Sequence, residues 1–221
     1  HRLPMRFVSG YIRWMRTVIL LLSVAGQLIY WDLLLKTLKA ASSAAARRYV
    51  DRTVWHMAHR LLVLTRFYGG LTVELDDRLV SDAPSPTLIC ANHQSVADIV
   101  VLLDAFRSHQ VRFVAKKELG RGFPAVSQVL RVQRHALISR TGNFRHGTRE
   151  LHRLGRETGA GISPAVFPEG TRSRDGAVKP FRAGAVRTIL TEANVPITAV
   201  AVDGGHLFVS FKDLINGLSS V

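Results

Sequence analysis

The chain has 221 residues, 47% of them hydrophobic and 21% charged, and a mean hydropathy of +0.13. That length and composition suit one sizeable core with a small appendage, and they exclude a disordered or low-complexity chain. A single cysteine, Cys90, excludes a disulfide scaffold and any cysteine-based zinc site, and a net charge of +14 calls for an anionic partner: nucleic acid, a membrane surface or a phosphorylated substrate.

The first third of the chain is both the most basic and the most apolar part. Residues 1–70 carry +9 of the net charge and residues 71–221 carry +5. A nucleic-acid arm is basic and polar, whereas a basic, greasy segment fits a membrane surface. Residues 17–31 contain no charge, Asp32 interrupts, and Leu33–Leu35 continue the run to Lys36. Fifteen helical residues rise about 22 Å, short of the roughly 30 Å hydrocarbon core, so a helix embedded in one leaflet is expected, with a true span as the second choice. Arg13 and Arg16 on one side, with Lys36 and Lys39 on the other, could reach headgroups. A second helix is predicted from about Ala44 to Tyr68. Its apolar side is Val50, Val54, Met57, Ala58, Leu61, Leu62, Thr65 and Tyr68, and its basic side is Arg48, Arg52, His56, His59 and Arg60. Gly69-Gly70 ends it. The pair reads as a platform for anionic lipid, with Trp14, Trp31 and Trp55 at the interface, or else as helices packed on a core with a solvated basic face.

After residue 70 the pattern alternates. Short β-type runs occur at Leu71–Leu75, Thr87–Ala91, Val111–Ala115, His135–Ile138, Ile162–Phe167, Val195–Val202 and Leu207–Phe211. Helical stretches fall near Val96–Arg107, Phe123–Arg131, Asn143–Glu157 and Phe181–Ala193. This predicts an α/β fold: a mixed, largely parallel sheet flanked by helices, preceded by the two-helix membrane-docking segment. Residues 1–69 are the expected anchor and residues 70–221 the α/β domain. The sequence starts at His1 and ends without a closing element, so more chain is expected at both ends.

Two motifs carry chemistry. Ala91-Asn-His-Gln-Ser-Val-Ala-Asp98 follows an apolar strand and leads into a helix, where α/β proteins place ligands and catalysts. His93 and Asp98 are about 140° apart on an ideal helix. If His93 lies in the turn before the helix, the Asp98 carboxylate can reach one ring nitrogen, fix the tautomer and leave the other nitrogen as a base. The alternative is a helix-capping turn with a surface Asp98. The second motif, Phe167-Pro-Glu-Gly-Thr-Arg-Ser173, also follows a strand. Gly170, Thr171, Arg172, Ser173 and nearby backbone N–H groups could cradle a phosphate or an oxyanion, with Glu169 orienting Arg172 or another donor. The alternative is a polar turn. Nine histidines are present, yet no pair has metal-ligand spacing with carboxylate support, so neither metal nor cofactor is expected.

Together, Asn92-His-Gln-Ser-x-x-Asp98 and Phe167-Pro-Glu-Gly-Thr-Arg-Ser173 resemble the glycerolipid acyltransferase family, best known as lysophosphatidate acyltransferases, over roughly residues 70–204. The resemblance implies transfer of a fatty acyl group from a thioester, acyl-CoA or acyl carrier protein, to a lysophospholipid hydroxyl. His93 would be the general base, oriented by Asp98, and Cys90 would take no nucleophilic part. It also implies a phosphate-binding arginine at Arg140, in Leu137-Ile-Ser-Arg140, where Ser139 replaces the family's acid. Lys116 and Lys117 would be further phosphate contacts, and Val195-Pro-Ile-Thr-Ala-Val200 matches a late family block with Ala199 in place of a proline. Those departures leave room for another acceptor: lyso-ornithine lipid, another lysophospholipid or glycerol-3-phosphate. The partners implied are a lysolipid, an acyl thioester and an anionic membrane at the cytoplasmic face of the inner membrane. A non-enzymatic protein that binds membranes or nucleic acid is the reading from another class, and the chain lacks the basic stripe interleaved with aromatics of a single-strand binder.

Overall fold

The computed structural model describes residues 5–76, 80, 82–139 and 144–208. Helix α1 spans Met5–Ala41 and α2 spans Ser43–Gly69. Ser42 separates them and caps α2, its hydroxyl accepting the Ala45 N–H. Gly70, at φ 71°, adopts the left-handed turn that stops α2 and returns its N–H to the Arg66 carbonyl. The two helices form an antiparallel hairpin. The Gln27 side chain donates to the Met57 carbonyl at 3.1 Å, and Arg16 donates to the Phe67 carbonyl at 2.9 Å.

The sheet has five strands: β1 (Leu88–Ala91), β2 (Gln110–Lys116), β3 (Ala136–Ile138), β4 (Ile162–Val166) and β5 (Ile197–Val200). Their order is β3-β2-β4-β1-β5 and every pairing is parallel. The connecting helices are α3 (Ala97–Ala105), α4 (Val126–Val132), α5 (Phe144–Thr158) and α6 (Gly184–Leu190). The central strands are mostly apolar because helices cover both of their faces, whereas β2 also carries Arg112 and the edge strand β5 is partly exposed. Ile89, Phe113 and Ala165 pack with Leu102 and Phe106 from α3, while Leu88, Ala136 and Val166 pack with Leu151, Leu154 and Ile189 from α5 and α6.

The helix hairpin is built into this core. Trp31, Leu35, Ala46, Val50 and Met57 bury against Ala125, Val129 and Val132 of the α4 region. Asp32, the acid that interrupts the apolar run, accepts the Ala125 N–H at 3.1 Å and pairs with Lys36 at 2.7 Å. Asp51 on α2 accepts hydrogen bonds from Arg112 of β2, itself only 3% exposed, and from Gln133 at 2.9 Å.

These contacts correct parts of the sequence reading. Trp31 is a core residue, 5% exposed, because it faces Tyr49 and α4; Trp14 is 62% exposed. Arg16 donates to the Phe67 carbonyl and Lys36 pairs with Asp32, both from exposed positions. Residues 71–76 form no strand, having no described neighbour to pair with. A short 3-10 turn, Gly205–Phe208, stands where a last strand was expected to begin, and residues 209–211 lie outside the described part.

Candidate active site

β1 and β4 are neighbours, and both motifs leave their carboxyl ends, the edge where ligands bind in open parallel sheets. His93 lies between β1 and α3, outside the helix, which removes the 140° obstacle. Its Nδ1 is 2.8 Å from Asp98 Oδ2. The same oxygen accepts the backbone N–H groups of Gln94 at 2.7 Å and Ser95 at 2.8 Å, so Asp98 closes the first turn of α3 while holding the imidazole. Asp98 is 1% exposed and the His93 side chain 17%. A buried carboxylate that only accepts places the ring proton on Nδ1 and leaves the lone pair on Nε2. The surface-Asp98 alternative is thereby excluded.

Glu169 sits behind this pair, 3% exposed. Its Oε1 accepts the His93 N–H at 2.8 Å and its Oε2 accepts the Lys179 N–H at 3.0 Å. The donors these bonds orient are backbone groups of two loops. Ser173 lies beneath the same turn. It is 1% exposed, its hydroxyl donates to Asp175 at 2.8 Å and its N–H donates to the His93 carbonyl at 2.7 Å. The Ser173 hydroxyl, followed by backbone N–H groups including that of Ala177, holds the Asp175 carboxyl below its usual range. Gly170 turns at φ 70° and spends its N–H on the Phe167 carbonyl. Thr171 is exposed at the tip, and Arg172 is half-buried with its carbonyl held by the Lys179 ammonium at 2.8 Å.

Lys116 ends β2 and Lys117 opens the next turn, both exposed at the same carboxyl edge; among the described residues neither side chain makes a hydrogen bond or ion pair. Arg140 lies outside the described residues. Burial pushes the Cys90 thiol up, away from the nucleophilic thiolate. Among the described residues no group of His, Cys, Asp and Glu side chains is arranged to hold a metal ion.

Other supporting residues escape a sequence reading. The Asn92 side chain exchanges two hydrogen bonds with the Val202 backbone, at 2.7 and 2.6 Å, tying β1's end to the segment after β5. Gln94 bridges the Gly176 carbonyl and the His206 N–H. Gly205 presses against Asp98, where a Cβ would stand 3.0 Å from Oδ1. Asn92 and Gln94 lie inside the first motif, but their partners are more than 80 residues away, with no period to reveal them.

A parallel α/β protein with a His–Asp dyad at the carboxyl edge, braced by a glutamate from the adjoining strand's loop, is the class defined so far. Residues 71–203 match the family model described as Acyltransferase, and the chain belongs to that family. It is 32% identical over 169 residues to the 1-acyl-sn-glycerol-3-phosphate acyltransferase of Escherichia coli K12, covering 75% of this chain and 65% of that one. It is 36% identical over 121 residues to the lyso-ornithine lipid O-acyltransferase of Brucella abortus, covering 52% and 42%. This chain thus spans less than two thirds of the length of these relatives. The crystal structure of the 1-acyl-sn-glycerophosphate acyltransferase PlsC from Thermotoga maritima shares the fold, with a TM-score of 0.60 at 21% identity, covering 94% of this chain and 93% of that one.

Proposed function

We propose that this protein is a membrane-associated O-acyltransferase that moves a fatty acyl group from an acyl thioester to the hydroxyl of lysophosphatidate, giving phosphatidate. The observation that carries the reading is the 2.8 Å bond from His93 Nδ1 to a buried Asp98, which leaves Nε2 as a base. The acceptor oxygen attacks the thioester carbonyl while Nε2 takes its proton; the carbon–sulfur bond then breaks and the proton passes to the departing thiolate. Asp98 stabilises the imidazolium formed in between. The acceptor is itself the nucleophile, so the step needs no acyl-enzyme. Arg172 and Thr171, with Arg140, Lys116 and Lys117, bind phosphate on the acceptor or the donor.

The helix hairpin supports a bilayer partner. Residues Trp14–Ala41 form one helix long and apolar enough to cross a membrane. Its exposed side repeats as Ile12, Met15, Ile19, Leu22, Ile29 and Leu33, a stripe at spacings of three, four or seven. Because Trp31, Asp32 and Leu35 are committed to α2 and α4, this stripe fits shallow insertion into one leaflet. The basic excess and a thioester donor support a position at the cytoplasmic face of the inner membrane.

A second reading keeps the chemistry and changes the acceptor to lyso-ornithine lipid. The Brucella relative favours it, as does Ser139 in place of an acid. One assay separates the readings: thiol release from acyl-CoA and acyl carrier protein donors with a panel of lysolipids, wild type against His93→Ala. The expected result is turnover with lysophosphatidate and a loss of about 10²–10⁴ in the variant. Full activity in His93→Ala would remove the assignment of the base.

A further inference from the structure

Four aromatic rings lie in a row across the α3 face of the sheet and end on His93. The His93 imidazole stacks on Phe167 with centroids 4.0 Å apart and planes 18° from parallel. Phe113 follows at 6.1 Å and 11°, then His135 at 5.9 Å and 4°. Strand register builds the row. Phe113 lies opposite Ala165, so Phe167, two residues on, points to the same face. Val114 lies opposite Ala136, which sets His135 beside Phe113.

The far end is locked. His135 Nδ1 accepts the Phe113 N–H at 2.9 Å, and Nε2 donates to Gln133 Oε1 at 3.1 Å. Gln133 in turn donates to Asp51 of α2. Burial, then the charges of Arg112 and Arg153, hold His135 well below the ordinary histidine range, so it stays neutral and keeps both bonds.

The near end has a positional problem that the dyad alone does not solve. The bond to Asp98 holds one atom of the imidazole, while the torsion that sets its plane is intrinsically broad. That plane decides where the Nε2 lone pair points. We propose that Phe167, backed by Phe113, is a positioning residue for His93: its ring face sets the plane of the imidazole and so aims Nε2 at the acceptor hydroxyl. This rests on His93 being the base. It gives the first residue of the Phe167–Ser173 motif a role separate from phosphate binding.

The test is kinetics with a spectroscopic control, on the full chain in lipid or detergent. In Phe167→Leu, kcat should fall about tenfold while KM for donor and acceptor stays within about twofold, because aim is lost and binding is not. Phe167→Tyr keeps the ring and should retain wild-type kcat. In histidine-labelled protein the His93 ring protons should resonate upfield under the Phe167 ring current. They should do so in wild type and Phe167→Tyr, and move downfield in Phe167→Leu.

Wild-type kcat in folded Phe167→Leu would overturn the proposal, as would a loss confined to KM or a Phe167→Tyr variant as slow as the leucine one. Absence of the upfield displacement in wild type would overturn it without any variant having to fold. If His93→Ala is inactive while Phe167→Leu is normal, the role of Phe167 fails and the base stands. If His93→Ala is fully active, the assignment of the base fails.

Discussion

The helix hairpin and the carboxyl edge of the sheet satisfy themselves in opposite ways. At the edge, the described polar groups around His93 are consumed internally. Asp98 takes three donors on one oxygen, Glu169 takes one on each of two, and Asn92 and Gln94 stitch in segments from the far end of the chain. The hairpin leaves an apolar stripe outside, with Leu22 68% and Phe67 71% exposed, and ties itself inward through a few polar pins such as Asp32 and Asp51. The site needs nothing further to hold its shape. The hairpin's outer face stays apolar and exposed, and the proposed bilayer partner would cover it.

The sharpest way to break that contrast is to pull a pin. Asp51→Ala leaves the Arg112 guanidinium buried without its carboxylate, so unfolding stability should drop by about 3 kcal/mol or more, read from the denaturant midpoint. Adding Arg112→Met to that variant should restore much of the loss. Next in size is the stripe. Replacing Leu22 and Ile29 together by aspartate should weaken binding to anionic vesicles roughly a hundredfold in a sedimentation assay. Because both side chains are more than half exposed, the unfolding midpoint should barely move.

A smaller effect is expected at the rim. Arg172→Ala should raise KM for the phosphate-bearing substrate about tenfold with little change in kcat, whereas the vesicle variants should lose binding without losing turnover of a soluble, short-chain acceptor. The smallest concerns His135. Its folded form is neutral and its unfolded form takes a proton near pH 6.5, so stability is complete above that pH and falls as the pH drops below it. Between pH 6.5 and 5.5 this group should cost about 1 kcal/mol, and His135→Gln should flatten that part of the curve.

The two motifs were legible because their chemistry is local. Five residues separate His93 from Asp98, and a strand end before each motif predicts an edge location. The alternation of short β-type runs with helical stretches likewise announced the layered fold. What stayed hidden depends on register and long-range pairing. Glu169 looks like a local partner for Arg172, but its bond to the His93 N–H depends on the parallel pairing of β1 with β4, which no nearby residue announces. Trp31 reads as an interface anchor on an isolated helix, yet α4 arrives from about 95 residues away to cover it.

From the amino-acid order alone came the alternating elements, the basic and apolar first third, the dyad's two members and the glycine-bearing turn that follows β4. All of these rest on spacing, hydropathy and side-chain chemistry within a few residues. The tertiary structure decided which face of α1 remains outside, that Glu169 and Ser173 brace loops, and that a row of stacked rings runs from α2's partner Gln133 to the imidazole of His93. Each of those is set by which strands lie side by side. That pairing is chosen by burying the whole core at once, and no short stretch of sequence records it.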